Sequence, residues 1–100
     1  MSMTTTIGID LGGSKIAAGV VAVDNHVHGL TVRDTPRGGP DHSLQATRAV
    51  VDELDPEGTM PVGVAVPELV DHDGRLASHH TVAWDRADLE RTLAPRLVAV

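Results

Sequence analysis

Residues 5–9 form a brief, β-branched apolar run that ends in Asp10-Leu11-Gly12-Gly13-Ser14-Lys15, and a second apolar run follows over residues 16–23. A glycine pair between two short apolar segments constrains this chain more than any other feature, because a direction change is written into it. The first run is too short for a helix and reads as a strand. The second is ambiguous by periodicity. Its three alanines suit a helix, whereas Gly19 and the valine-rich end argue against one. Its length and the Asp24-Asn25 turn that closes it favour a strand. Residues 27–33 return as a third strand with Leu30 and Val32 on one face, so the opening reads as an antiparallel β-meander.

Pro36-Arg37-Gly38-Gly39-Pro40 is a loop, and Asp41 is placed to cap the helix after it. Leu44, Thr47, Val51 and Leu54, with Val50 beside them, recur at helical spacing and stop before Asp55-Pro56. Val62, Val64 and Val66 alternate with Gly63 and Ala65, the pattern of a strand buried on both faces. Asp73-Gly74 marks a hairpin turn between Leu69-Val70 and Leu76-Ala77. Asp85 with Asp88 forms a loose capping box. The helix it opens carries Leu89 and Leu93, and Pro95 ends or kinks it near Ala94. Residues 97–100 then read as the start of a further strand. The order β-β-β-α-β, hairpin, α gives a mixed sheet with helices packed on it, an α/β layer fold.

Composition excludes several classes of function. At 100 residues the chain has room for one small domain, not for a two-lobed enzyme with a cleft between lobes. The net charge is −6, and seven arginines and one lysine are scattered along the chain, so nonspecific nucleic-acid binding is not expected. Without cysteine there is neither a disulfide framework nor a thiolate metal site. With no Phe or Tyr and a single Trp, the core must be aliphatic. The first residues lack the charged and apolar regions of a secretory signal, and no apolar stretch is long enough to span a bilayer. The expectation is a soluble, cytoplasmic domain with no membrane partner.

The glycine turn fails two phosphate motifs. The P-loop needs Gly-Lys followed by Ser or Thr and must open a helix, whereas here Ser14 precedes Lys15 between strands. The dinucleotide pattern is absent. What remains is a hairpin turn whose backbone could approach a ligand at Gly12 and Gly13 and offer amides to phosphate oxygens. The Ser14 hydroxyl and Lys15 ammonium add donors, and Asp10 offers a carboxylate to Mg²⁺. The alternative is a tight turn that uses glycine for positive φ.

The stretch Ile7-Gly-Ile-Asp-Leu-Gly-Gly-Ser-Lys-Ile-Ala-Ala-Gly-Val-Val resembles the opening of the ROK family of sugar kinases and repressors, in the actin-like ATPase superfamily. That family's first phosphate motif is D-x-G-G-T-K, and residues 10–15 match it with Ser14 in place of Thr. Val62-Gly-Val-Ala-Val-Pro is similar to the strand before its G-x-P-G segment, and Leu69-Val-Asp-His-Asp-Gly-Arg-Leu resembles the hairpin that follows. Trp84 stands where an N-L-x-x-W-type stretch would end.

The resemblance implies a ribonuclease-H-like N-terminal lobe spanning residues 1–100. It implies ATP and Mg²⁺ as cofactors, with Asp10 positioning the ion through water and Gly12, Gly13, Ser14 and Lys15 lining the phosphate turn. The general base, the Asp of an E-N-D motif, is expected beyond Val100, together with the C-terminal lobe and any zinc site. The implied activity is ATP-dependent phosphorylation of a sugar, glucokinase-like or N-acylhexosamine kinase-like. A homo-oligomer is compatible with it. The absence of a helix-turn-helix before the first strand favours the kinase branch. On the sugar side, near Pro67, the chain departs from the family: Glu68 replaces the glycine of the P-G step, and His80 replaces an Asn. The alternative function is a non-catalytic remnant or interaction module that keeps the fold.

Other clusters read more plainly as structure. His72 and Asp73 belong to a turn, and the adjacent His79 and His80 would face opposite ways along a strand, which disfavours a metal site. Asp71 with Asp73 suits turn chemistry, and Asp85 with Asp88 suits a helix N-terminus. Trp84 either stacks on a ligand or anchors its loop on the core. The Leu89-Leu93-Leu97 stripe is core, or a surface for another lobe or subunit.

Overall fold

The computed structural model describes residues 5–79, 81–94 and 96–100. The opening meander is present as β1 (Thr6–Leu11), β2 (Lys15–Val21) and β3 (Val27–Asp34). β1 pairs antiparallel with β2 through Thr6↔Val21 to Leu11↔Ile16, and β2 pairs antiparallel with β3 from Lys15↔Asp34 to Val21↔Val27. A bulge at Ala18/Val20 shifts the register of that second pair. Gly19 lies at the bulge, where a Cβ would stand 2.6 Å from Val27 Cγ1. The ambiguous second run is therefore a strand, as its turn signal indicated.

Helix α1 (Pro40–Leu54) buries the expected stripe, with Thr47, Val50 and Val51 fully enclosed and Leu44 nearly so. Asp41 is not its cap. The N-cap is Gly39, at φ 120°, and Asp41 lies inside the first turn without a side-chain capping bond. Pro40 occupies the start of the helix, where its missing N–H costs nothing, and that moves the cap two residues back, from Asp41 to Gly39. Asp41 then complements the positive end of the helix dipole.

β4 (Val62–Ala65) pairs parallel with β1, and β5 (Leu97–Ala99) pairs parallel with β4. The five-stranded sheet has the order β3-β2-β1-β4-β5. Between β4 and β5 the chain makes a one-bridge hairpin, Val70↔Leu76, and then α2 (Arg86–Leu93). The capping box of α2 is complete. The Asp85 carboxylate accepts from the Asp88 amide, and the Asp88 carboxylate accepts from the Asp85 amide. α2 ends at Leu93 with Ala94 as its C-cap; Pro95, the expected cause, is outside the described residues.

From β3 to β4 and from β4 to β5 the chain steps in the same direction across the sheet. Right-handed crossovers then put both helices on one face. The core is accordingly one-sided: Ile7, Ile9, Leu11, Ile16, Ala18, Val62 and Val64 of the sheet pack with Val50, Val51, Leu89, Leu93 and Trp84. This corrects the expectation for β4. Val62 and Val64 are buried, but Ala65 is exposed and Gly63 only half-buried, because no described element covers the other face. On that open face Val27, Leu30 and Val32 are exposed, Leu30 by 68%.

Arg96 pins β5 to α1. Its guanidinium donates to Asp52 at 2.9 Å and stands 3.5 Å from the buried Asp55 carboxylate, which itself accepts from the Met60 amide at 2.8 Å. Among the described residues, no helix is long and apolar enough to cross a membrane.

Candidate functional site

The β1–β2 turn closes with the Gly12 amide donating to the Lys15 carbonyl at 2.8 Å. Thr35, just past β3, then fastens the turn from the side. Its amide donates to the Ser14 carbonyl at 2.8 Å and its hydroxyl to the Gly12 carbonyl at 2.9 Å. The meander's register dictates this, since Lys15 lies opposite Asp34 and the next residue must reach the turn. Once the Gly12 amide and the Gly12, Ser14 and Lys15 carbonyls are committed, the Gly13 and Ser14 amides are the turn's donors with no partner among the described residues.

Neither Gly12 nor Gly13 lies in the left-handed φ region, so positive φ is not why glycine is there. Proximity is the reason. A Cβ on Gly12 would sit 3.0 Å from the Lys15 carbonyl oxygen, and one on Gly13 would sit 3.0 Å from Thr81 Cγ2.

Two hollows flank the turn. One, of about 240 Å³, is lined by Gly12 and Gly13 on one side and residues 81–83 on the other, with Thr35, Arg37 and Ser43 completing it. The second, of about 310 Å³, lies between Gly13, Ser14 and Lys15 and the segment Asp34, Thr35 and Arg37. Gly13 and Arg37 belong to both. The Arg37 guanidinium is exposed and makes no hydrogen bond or ion pair among the described residues. Lys15 is paired: its ammonium bonds the Asp34 carboxylate and, first by that bond and then by its charge, holds Asp34 below the usual carboxylate range. Both side chains are mostly exposed.

Asp10 lies elsewhere. It pairs with Ala17 and Ala65 on the open face, beside a largely apolar hollow bounded by Gly8, Ala17, Gly19 and Leu30, and lines neither hollow at the turn. Its carboxylate is exposed and has no partner among the described residues.

Of the sugar-side residues, Pro67 is exposed and lines none of these hollows. His80 is outside the described residues. Glu68 is committed to the protein: its carboxylate accepts from the Ser78 hydroxyl at 2.8 Å, the Thr81 amide at 2.6 Å and the Val82 amide at 2.9 Å. Trp84 is core, 2% exposed, and its indole N–H donates to Ser43 Oγ at 3.0 Å. The metal reading of the histidines gains nothing: no group of three ligating side chains occurs among the described residues.

Sequence reasoning missed Thr35, Arg37 and Ser43. The register of the meander could have found the first two, because the residues that follow β3 must pass the β1–β2 turn. Ser43 carried no such signal. Only the crossing of α1 over the sheet brings it to the same hollow.

A five-stranded mixed sheet, opened by an antiparallel meander and crossed by two helices on one face, is a ribonuclease-H-like lobe of the actin-like ATPase class. The ROK family profile matches residues 6–99, and the chain belongs to the ROK family. Among solved structures it is similar to a ROK family glucokinase from Streptomyces griseus in complex with glucose and AMPPNP, at 25% identity and TM-score 0.79. It also resembles an inorganic polyphosphate/ATP-glucomannokinase from Arthrobacter sp. strain KM, at 28% identity and TM-score 0.78. A ROK hexokinase from Thermus thermophilus, 24% identical with TM-score 0.74 over 97% of this chain and 35% of its own, shares the fold. The first two alignments take in 95% and 97% of this chain but only 32% and 44% of the relatives' lengths. Comparison with curated proteins finds no match.

Proposed function

We propose that residues 1–100 are the N-terminal, phosphate-binding lobe of an ATP-dependent, cytoplasmic sugar kinase. The observation that carries this reading is the pair of unengaged Gly13 and Ser14 amides beside the unpartnered Arg37, between two hollows that meet at the turn. Donors preorganised in this way suit a phosphate chain, whose transfer needs positioning and charge neutralisation more than covalent help from the protein. ROK membership and the glucokinase relatives support the class of reaction: a γ-phosphoryl group passes to a sugar hydroxyl.

Asp10 fits Mg²⁺. It presents an exposed, uncommitted carboxylate, the hard oxygen donor this ion prefers, and a single carboxylate suits an ion that keeps several waters. Its distance from the turn hollows favours a hold through water. When bound, the ion would neutralise phosphate charge. Lys15 and Arg37, which line the same hollow beside the turn, supply positive charge, and the Gly13 and Ser14 amides orient the phosphate oxygens.

No carboxylate lines the 240 Å³ hollow, so the base that takes the sugar proton is assigned outside the described residues. Glucose-like and N-acylhexosamine-like acceptors both remain compatible with the small, polar hollow.

The test is an amide titration of this chain with Mg-ATP. Shifts at Gly13, Ser14 and Lys15 that saturate, and that shrink in Arg37→Ala, are expected. Silence at those amides would overturn the reading and leave a non-catalytic interaction module.

A further inference from the structure

We propose that Glu68 is a positioning residue for the cleft at the phosphate turn. It acts through the 78–82 loop and not on a substrate. The inference rests on the cleft being the binding site, as argued above.

Glu68 follows β4, and among the described residues three donors converge on its carboxylate: the Ser78 hydroxyl and the consecutive Thr81 and Val82 amides, all within 2.6–2.9 Å. Bonds from backbone amides to an ionised carboxylate are among the stronger ones a loop can make. The same loop carries the wall of the 240 Å³ hollow, since Thr81, Val82 and Ala83 line it opposite Gly12 and Gly13. Thr81 closes the distance to the turn: a Cβ on Gly13 would stand only 3.0 Å from its γ-methyl.

Farther along, Trp84 is bonded to Ser43 of α1. The wall is thus fixed at both ends, by a carboxylate anchored after β4 and by an indole anchored on the helix. Between these two points the chain has only the Ala83 backbone with which to adjust. A shift at Glu68 is therefore passed to Thr81, whose γ-methyl faces Gly13 across the hollow.

This reading also accounts for a carboxylate in that place. Its oxygens are occupied by protein donors, so it brings order to the wall without offering a bare charge to a neutral ligand.

The test uses the whole 100-residue chain, wild type and Glu68→Gln, with amide NMR at a series of pH values and Mg-ATP as probe. Among the described residues, the charged or titrating groups around Glu68 and the turn include His79 near its loop and Lys15, Asp34 and Arg37 beside the turn. In wild type the Thr81, Val82 and Gly13 amides are expected to share one acid midpoint. In Glu68→Gln that step disappears, while the step due to Asp34 at Ser14 and Lys15 persists. The Thr81 and Val82 amides should exchange roughly 10–100-fold faster in the variant, as for loss of a charge-assisted hydrogen bond. The Mg-ATP Kd read at Ser14 should rise about tenfold by the same reasoning.

A Gly13 amide that ignores the Thr81/Val82 midpoint, or an unchanged Kd, would reduce Glu68 to a loop tether and overturn the proposal. If Mg-ATP moves nothing in wild type while the three amides titrate together, the phosphate reading fails and the hold of Glu68 on the turn stands. Should Glu68→Gln not fold, the wild-type titration alone still decides the coupling, and Glu68→Asp, with charge kept and reach shortened, replaces it for the Kd.

Discussion

Removing the Ser43 hydroxyl tests whether the cleft wall is anchored as the structure indicates. Trp84 is 2% exposed, and its N–H donates to Ser43 Oγ at 3.0 Å. In Ser43→Ala the indole N–H loses this acceptor inside the core, which costs about 1–3 kcal/mol. In Trp84→Phe the donor itself goes, along with part of the ring's packing, for about 2 kcal/mol. Adding Ser43→Ala to Trp84→Phe should then cost about 1–2 kcal/mol less than Ser43→Ala alone, since no indole N–H remains to be orphaned. The expected coupling is about 1–2 kcal/mol, well above the few tenths seen for independent sites. Urea unfolding followed by far-ultraviolet circular dichroism on the four proteins measures it. For a domain of about 100 residues the total stability is roughly 5–15 kcal/mol, so all four should fold. Additivity within about 0.3 kcal/mol would refute the anchor, because the hydrogen bond would then carry no energy of its own.

Four further outcomes rest on the same geometry. Gly13→Ala places a methyl 3.0 Å from Thr81 Cγ2 and should destabilise by about 1 kcal/mol, with most of the loss recovered in the Gly13→Ala/Thr81→Ser double variant, read by the same unfolding assay. Lys15→Met should raise the Asp34 carboxyl titration toward its ordinary value, which a carbon-detected pH series will show; an unmoved Asp34 would refute the pairing. Asp34, Asp52 and Asp88 all titrate lower in the folded chain, Asp52 chiefly through its bond from Arg96 and Asp88 chiefly through the Asp85 amide. Their stabilisation is thus complete above the unfolded carboxyl value of about 3.9 and is lost as pH falls through the lower folded values; Asp88→Asn should flatten that acid limb in a pH series of urea midpoints. Asp85→Ala removes the capping box and should cost about 1 kcal/mol by thermal melting.

The meander, the stripe of α1 and the capping box of α2 were legible because each is a local pattern. A glycine-rich turn, a 3.6-residue period and an Asp three residues before another are set by neighbours in sequence. Burial was less legible. Val62 and Val64 alternate with small residues in a way that suits two covered faces, but whether the second face is covered depends on where the helices cross, and both cross on one side. Gly39 displaced Asp41 as the cap because Pro40 fixes the first helical residue, a competition that residue preference alone does not rank. At the site, the D-x-G-G-[ST]-K pattern pointed to the turn but not to what makes it a donor surface. That depends on Thr35 drawing the Gly12 and Ser14 carbonyls to one side, a contact 21 to 23 residues away in sequence. Glu68 read as an added charge, and only the fold shows its oxygens taken up by Ser78, Thr81 and Val82.

The chain has one Trp and neither Tyr nor Phe, and that Trp is bonded beneath the wall of the cleft. Its near-ultraviolet light emission therefore has a single source, two residues from the lining at Val82. A ligand that enters between Gly13 and Thr81, or a variant that loosens Glu68, acts on the loop that holds this indole. The unmodified protein thus has an optical probe built in at the place of interest, and no other chromophore needs to be subtracted from its spectrum.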